Sequence, residues 1–213
     1  MEIGYSNVYT KVFGWLGIGL LLTFAVAFGM SSYVDRAAIV GFSTISIIAE
    51  LGIAIVMGLC LQKLSPTACT VLYLIYCIVS GVNFSVIFLT YRVTSIAYVF
   101  LITAAIFGLF AFLGKVSKVD FRKLGIYLLF TLLAVIIASI VNVFVGSSEL
   151  ELGLTIICII LFMLYILYDM KVIPNLVEVF GPEKAAVYGA FQLYIDFINL
   201  FVDILRLLGK GKD

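Results

Sequence analysis

Residues 184–209 read KAAVYGAFQLYIDFINLFVDILRLLG, and this stretch decides the fold. It is long enough to cross the hydrocarbon layer of a bilayer, which takes about 20 mostly apolar residues. It nevertheless carries polar groups through its middle. Gln192, Asp196, Asn199, Asp203 and Arg206 follow at steps of four, three, four and three, a spacing that keeps side chains on one face of an α-helix. A carboxylate at the midpoint of a membrane helix costs about 2.5–3.5 kcal/mol on insertion scales. Such a residue by default marks a site that faces protein or water rather than lipid.

The rest of the chain supports a membrane setting. Of 213 residues, 64% are hydrophobic and only 12% charged, against about 45–50% and about 25% in soluble domains. The mean hydropathy is +1.26. This predicts an integral membrane protein with no room for a separate soluble domain. The 12 Tyr and 18 Phe suit helices whose ends sit among lipid headgroups. A net charge of +1 argues against nucleic acid as a partner. The first apolar run continues past Met30 without a small-residue cleavage site and reads as a retained span. Cys60, Cys69, Cys77 and Cys158 lie in or beside apolar runs without a CxxC, so they read as small buried residues rather than a metal site or disulfide framework. Histidine is absent, so any proton sensing must rest on carboxylates.

The expected fold is all-α, one transmembrane domain over residues 1–213, with helices at about 12–34, 38–62, 66–90, 95–114, 124–146, 152–173 and 184–209 and a proline-containing loop at 174–183. Seven crossings put the termini on opposite sides. The N-terminal side then holds Lys11, Lys63, Lys115, Lys118, Arg122, Lys123, Lys171 and Lys184, whereas the loops opposite hold Arg36 and Arg92, joined by Arg206, Lys210 and Lys212 of the tail. The excess of basic residues predicts a cytoplasmic N-terminus. Six spans with a re-entrant last segment would place the tail on the basic side too.

Several polar residues stand out beside Asp196. Asp169 lies near the end of the sixth segment, and a short link makes the sixth and seventh segments antiparallel neighbours. Two carboxylates in contact cannot both ionise cheaply and titrate as a unit. With a helix beginning at 184, Asp196 lies about 18 Å deep at 1.5 Å per residue, and Asp169 much shallower. The two therefore meet only if the first turns of the last helix project from the membrane. Glu50 sits mid-span in the second segment. Asp203 and Arg206 are spaced to neutralise each other. Gln192 and Asn199 read as helix–helix hydrogen-bonding groups. Gly81, Ala104 and Gly108 read as places of close helix contact, and Tyr165 and Tyr168 as interface anchors. No HExxH, GxSxG or phosphate-binding glycine loop occurs. An intramembrane aspartyl protease would use two aspartates, and Tyr168-Asp169 supplies its YD, but Asp196 lacks the glycines of a GxGD.

The C-terminal third carries a more specific pattern: Tyr168-Asp169, then Leu193-Tyr194-Ile195-Asp196-Phe197-Ile198-Asn199-Leu200-Phe201. With AYVFLITAAIFG at 97–108, Ser80-Gly81, Asp120-Phe121 and Asn142-Val143-Phe144, the chain resembles the Bax-inhibitor family of membrane proteins, most closely its bacterial members. The resemblance implies seven helices, the last one central and wrapped by the other six. It also implies a pH-sensitive calcium leak gated by a hydrogen-bonded aspartate pair, here Asp169 and Asp196. Relatives restrain cell death or a membrane protease. The bacterial type carries an arginine latch at the end of the second segment, where this chain has Leu61 or Gln62 followed by Lys63. It also has Asp203 where an amide is expected.

The expected function is thus a proton-gated calcium leak of the cytoplasmic membrane, not an enzyme, with no resident cofactor. Asp169 and Asp196 form the gate and the expected calcium ligands. Glu50, Asn199 and Asp203 line the ion pathway with oxygen, which a hard cation prefers, and Lys63 and Arg206 act as charge partners. The expected partners are calcium ions, protons, the bilayer and a membrane protease. A non-transporting regulator and an intramembrane hydrolase are the alternative readings.

Overall fold

The structure, a computed structural model, describes residues 2–212. Seven helices are long and apolar enough to cross a membrane: α1 (Glu2–Tyr33), α2 (Arg36–Leu59), α3 (Pro66–Thr90), α4 (Val93–Val116), α5 (Gly125–Val145), α6 (Ser148–Phe180) and α7 (Pro182–Leu208). Two 3-10 turns, Leu61–Lys63 and Phe121–Leu124, join α2 to α3 and α4 to α5. No β-strand occurs among the described residues, only an isolated bridge between Tyr91 and Gly211. The all-α membrane architecture expected from composition is therefore present.

Local chemistry sets the boundaries. Ser65 caps α3 by accepting a hydrogen bond from the Ala68 amide, with Pro66 at the first helical position, where its missing N–H costs nothing. Gly146 ends α5 at φ +68°, and Gly181 separates α6 from α7 at φ +78°. Both are left-handed positions that only glycine adopts freely.

The sixth helix differs from expectation. The loop expected at 174–183 is helical through Phe180, with Pro174 inside the helix. Pro174 removes one backbone hydrogen bond, a loss that membrane helices absorb through neighbouring groups. At 1.5 Å per residue, α6 is about 50 Å long, more than the ~30 Å hydrocarbon layer. The extension resolves the depth mismatch of the two aspartates. Asp169 lies eleven residues before Phe180 and Asp196 fourteen after Pro182, so both sit at comparable distances from the Gly181 turn.

The last segment is one continuous helix rather than a re-entrant one. Its tail is held at the α3–α4 turn, where the Lys212 amide donates to the Thr90 carbonyl at 2.8 Å and the Lys212 ammonium to the Phe88 carbonyl at 2.7 Å. The tail is thus fixed to the end of α3 that adjoins the α3–α4 turn.

The chain divides into two compact units. One contains α1–α3 and the segment Ile173–Tyr194; the other contains Thr94–Val172 and Ile195–Lys210. Helix α7 contributes its first half to one and its second half to the other, and its most apolar window is 67% buried against at most 33% for any other span. Helices α2 and α5 are the least enclosed, at 6% and 11%. Their exposed Ile45, Ile48, Ile137 and Phe144 form the kind of apolar surface that lipid, rather than water, covers.

Within the first unit, α1 crosses α3 at Gly81. A Cβ there would fall 2.6 Å from Val26 Cβ and 2.9 Å from the Thr23 carbonyl oxygen. Within the second, Gly114 of α4 admits α6, since a Cβ there would fall 2.9 Å from Met170 Cβ and 3.1 Å from Leu167 Cα. Gly81 meets the expectation of close packing. Gly108 does not: a Cβ there would meet nothing within 4 Å, because the α4 face that approaches α6 is the one carrying Gly114.

Candidate functional site

In the second unit, Asp169 of α6 and Asp196 of α7 lie side by side, 4% and 3% exposed, with a hydrogen bond between their side chains. Carboxylates only accept, so this bond requires a proton on one of the two. The second oxygen of Asp196, Oδ2, is buried without a hydrogen-bond partner. Packing positions both groups. Asp169 is flanked by Tyr168 and Met170, the first stacked over Gly125 and the second over Gly114. Beside Asp196, the Phe197 ring is wedged between Phe100 and Phe107 of α4, with ring centroids 5.3 and 5.4 Å away. Tyr165, one turn before Asp169, is electrostatically coupled to both carboxyl groups.

The remaining polar residues of α7 in this unit behave differently. Asn199 donates its amide to the Ile195 carbonyl of its own helix at 2.8 Å. Asp203 is buried, and its carboxylate lies 3.6 Å from the exposed Arg206 guanidinium, the internal neutralisation that their spacing predicted.

The first unit holds the other membrane carboxylate. Glu50 of α2 accepts a hydrogen bond from Asn83 Nδ2 of α3 at 2.5 Å, and the Ser80 hydroxyl is a second hydrogen-bonding partner. Ser80 also reaches the Tyr194 hydroxyl of α7, which lies 2.5 Å from Thr23 Oγ1 of α1. Thr23 in turn donates to the Cys77 carbonyl at 3.0 Å. A chain of side-chain hydrogen bonds thus runs from Glu50 to α1. Tyr73 and Tyr76 close round Tyr194 edge-on, with centroids 6.0 and 5.9 Å away. Sequence reasoning singled out Glu50 and Ser80 but missed Thr23 and Tyr194. Tyr194 falls off the Gln192–Asp196–Asn199 face, and a lone Thr in an apolar span carries no periodic signal.

The cationic groups are distributed otherwise than expected. Lys63 is exposed in the 3-10 turn after α2 and makes no ion pair among the described residues. The buried cation at that end of the unit is Lys184, whose ammonium donates to the Leu64 carbonyl at 2.7 Å and sits 4.7 Å from the Phe180 ring centroid.

The chain is similar to known proteins along almost its whole length. The family model described as inhibitor of apoptosis-promoting Bax1 matches residues 5–213. The chain belongs to the Bax-inhibitor family. Among its relatives, the Inner membrane protein YbhL of Escherichia coli K12 is 33% identical, covering 98% of this chain and 94% of the relative. An uncharacterised protein of Borreliella burgdorferi is 34% identical over 100% of this chain and 96% of its own length. One from Deinococcus radiodurans is 32% identical over 95% and 90%. This member of the Bax-inhibitor family is accordingly a multi-pass membrane protein.

Proposed function

We propose that this Bax-inhibitor family protein is a pH-sensitive calcium leak of the cytoplasmic membrane, with its N-terminus on the cytoplasmic side. The buried, proton-sharing contact between Asp169 and Asp196 carries the reading. Such a bond exists only while at least one proton remains on the pair, and its loss leaves adjacent anions in a medium that screens them poorly. The two residues come from different helices, so a change in their protonation acts on helix packing. Glu50 adds carboxylate oxygens of the type that calcium prefers, whereas Asp203 lies beside the Arg206 guanidinium, which opposes a cation there. In this proposal, calcium enters the pair transiently when the shared proton leaves.

The test is calcium influx into liposomes reconstituted with the purified chain, measured across about pH 6 to 8, the range a raised carboxyl pair can reach. The expected result is a flux that varies with pH in the wild type and loses that variation in both Asp169→Asn and Asp196→Asn. Pure chain that passes no calcium at any pH would instead favour the non-transporting regulator of a membrane protease. An unchanged pH profile in both variants would overturn the gate.

A further inference from the structure

A second polar feature lies in the second unit, away from the aspartate pair. A cavity of about 490 Å³ opens where the end of α5, the start of α6 and the end of α7 converge. Its lining includes Ser139, Ser148, Glu151, Asp203 and Arg206. Asn142 also lines it, but as wall: its amide group is closed on Ser147, donating to the carbonyl and accepting from the amide N–H, both at 3.1 Å. A smaller cavity of about 280 Å³ shares Ser148, Glu151, Thr155 and Arg206 with the first and adds Leu152 and Leu207, two exposed apolar side chains.

The charges in this space are of both signs. Two carboxylates, Asp203 and Glu151, share the lining with one guanidinium, Arg206. A bare divalent cation fits poorly, because Arg206 repels it and no cluster of three acidic, Cys or His ligands exists among the described residues. A bare anion meets two carboxylates. An amphoteric ligand satisfies both, with its cationic end toward the carboxylates and its anionic end toward the guanidinium, which binds phosphate with paired N–H donors. The position selects the source. Asp203 lies five residues before the end of α7, about 8 Å along the axis, and Glu151 three residues after the start of α6. The site is therefore at headgroup depth, and the adjoining cavity runs onto the exposed Leu152 and Leu207.

We infer that this cavity binds the headgroup of a zwitterionic phospholipid bearing a primary ammonium, on the side of the membrane opposite the N-terminus. Arg206 holds the phosphate, Asp203 and Glu151 receive the ammonium, and the acyl chains leave past Leu152 and Leu207. The inference is independent of the calcium-leak proposal, since binding is read without ion flux.

The test uses the full chain in detergent, offered equal amounts of phosphatidylethanolamine, phosphatidylcholine and phosphatidylglycerol, with retained lipid counted by native mass spectrometry. Phosphatidylethanolamine is expected to be retained over the other two, because choline has no N–H donors and glycerol no cation. Retention should fall about tenfold in Arg206→Gln and in Asp203→Asn, the loss of one charge-assisted hydrogen bond. Folding is followed by thermal melting read from the fluorescence of Trp15. Ser139→Phe, which fills the space and leaves the charges in place, must give the same loss and serves where a charge variant fails to fold. Equal retention of the three lipids, a preference for phosphatidylglycerol, or unchanged retention in the variants would overturn the inference. Binding of soluble phosphoethanolamine without retention of the lipid would overturn the lipid assignment, and binding of calcium alone in the cavity would overturn the ligand class.

Discussion

The protein places buried carboxyl groups in two regions and solves their cost in two ways. Glu50, in the first unit, is held by neutral polar groups: Asn83 donates to it at 2.5 Å, and Ser80 is a second hydrogen-bonding partner. Asp169 and Asp196, in the second, lean on each other, and Asp196 keeps one buried oxygen without a partner. A carboxyl group bonded to an amide donor keeps that bond in either protonation state, whereas two carboxyl groups bonded to each other must keep a proton. The difference teaches which contact depends on a proton: the aspartate pair cannot form without one, and the Asn83 bond to Glu50 does not need one.

The largest effect expected from this contrast is on transport. Asp196→Asn should remove the pH dependence of calcium flux, whereas Asn83→Ala, which removes a donor from Glu50 without adding a titrating group, should change the flux amplitude and leave its pH dependence in place. Parallel flux titrations of the two variants check this, and a pH dependence lost in Asn83→Ala and kept in Asp196→Asn would reverse the assignment of the two regions.

Next in size is packing. Gly81→Val and Gly114→Val force a side chain into contacts already closer than 3.0 Å, and overpacking of this kind costs about 1–3 kcal/mol. Both should lower the melting temperature in detergent, with Gly108→Val, which meets open space, as the neutral control.

A smaller loss follows from breaking the Glu50 network at its two ends. Asn83→Leu removes a donor to a carboxylate, and Tyr194→Phe removes the hydroxyl that meets Thr23. Interhelical hydrogen bonds in membranes contribute about 0.6 kcal/mol on average and up to about 1.7, and the short bond to a half-buried carboxyl group puts Asn83→Leu at the upper end. Denaturant or thermal melts should therefore rank Asn83→Leu below Tyr194→Phe in stability.

The smallest effect lies outside the spans. The Arg122 side chain donates to Asp120 at 2.7 Å, and the Arg122 amide adds a weaker bond at 3.2 Å. These bonds hold the Asp120 carboxyl below its ordinary range. A carboxyl with a depressed pKa keeps its contact at neutral and mildly acidic pH and loses it only as pH falls through the lowered value. The Arg122 amide shift in an NMR titration should move only in that acid range, and not at all in Asp120→Asn.

Much of this was legible in the chain itself. Apolar runs of about 20 residues favour membrane helices, so seven candidate spans follow from composition and length. A carboxylate at mid-span has few tolerable environments, so the sequence alone marks Asp196 and Glu50. The Asp203–Arg206 contact followed from a three-residue spacing on one helix. What was not legible depended on which helix lies against which. Pro174 reads as a break, yet α6 runs on to Phe180, and that extension brings Asp169 to the level of Asp196. Lys63 was the expected cation, but Lys184 is the buried one, because burial is set by neighbours rather than by position in a loop.

The sequence by itself determined that the chain is a multi-pass membrane protein with seven apolar segments and that its last helix carries a polar face, because apolar runs of that length favour lipid and charged side chains within them avoid it. Only the tertiary structure decided that Tyr194 joins Glu50 to Thr23 through Ser80, and that Glu151, Asp203 and Arg206 share one cavity. Those groups lie on separate helices, and contacts between helices arise from the shapes of packed faces, which no one-dimensional spacing records.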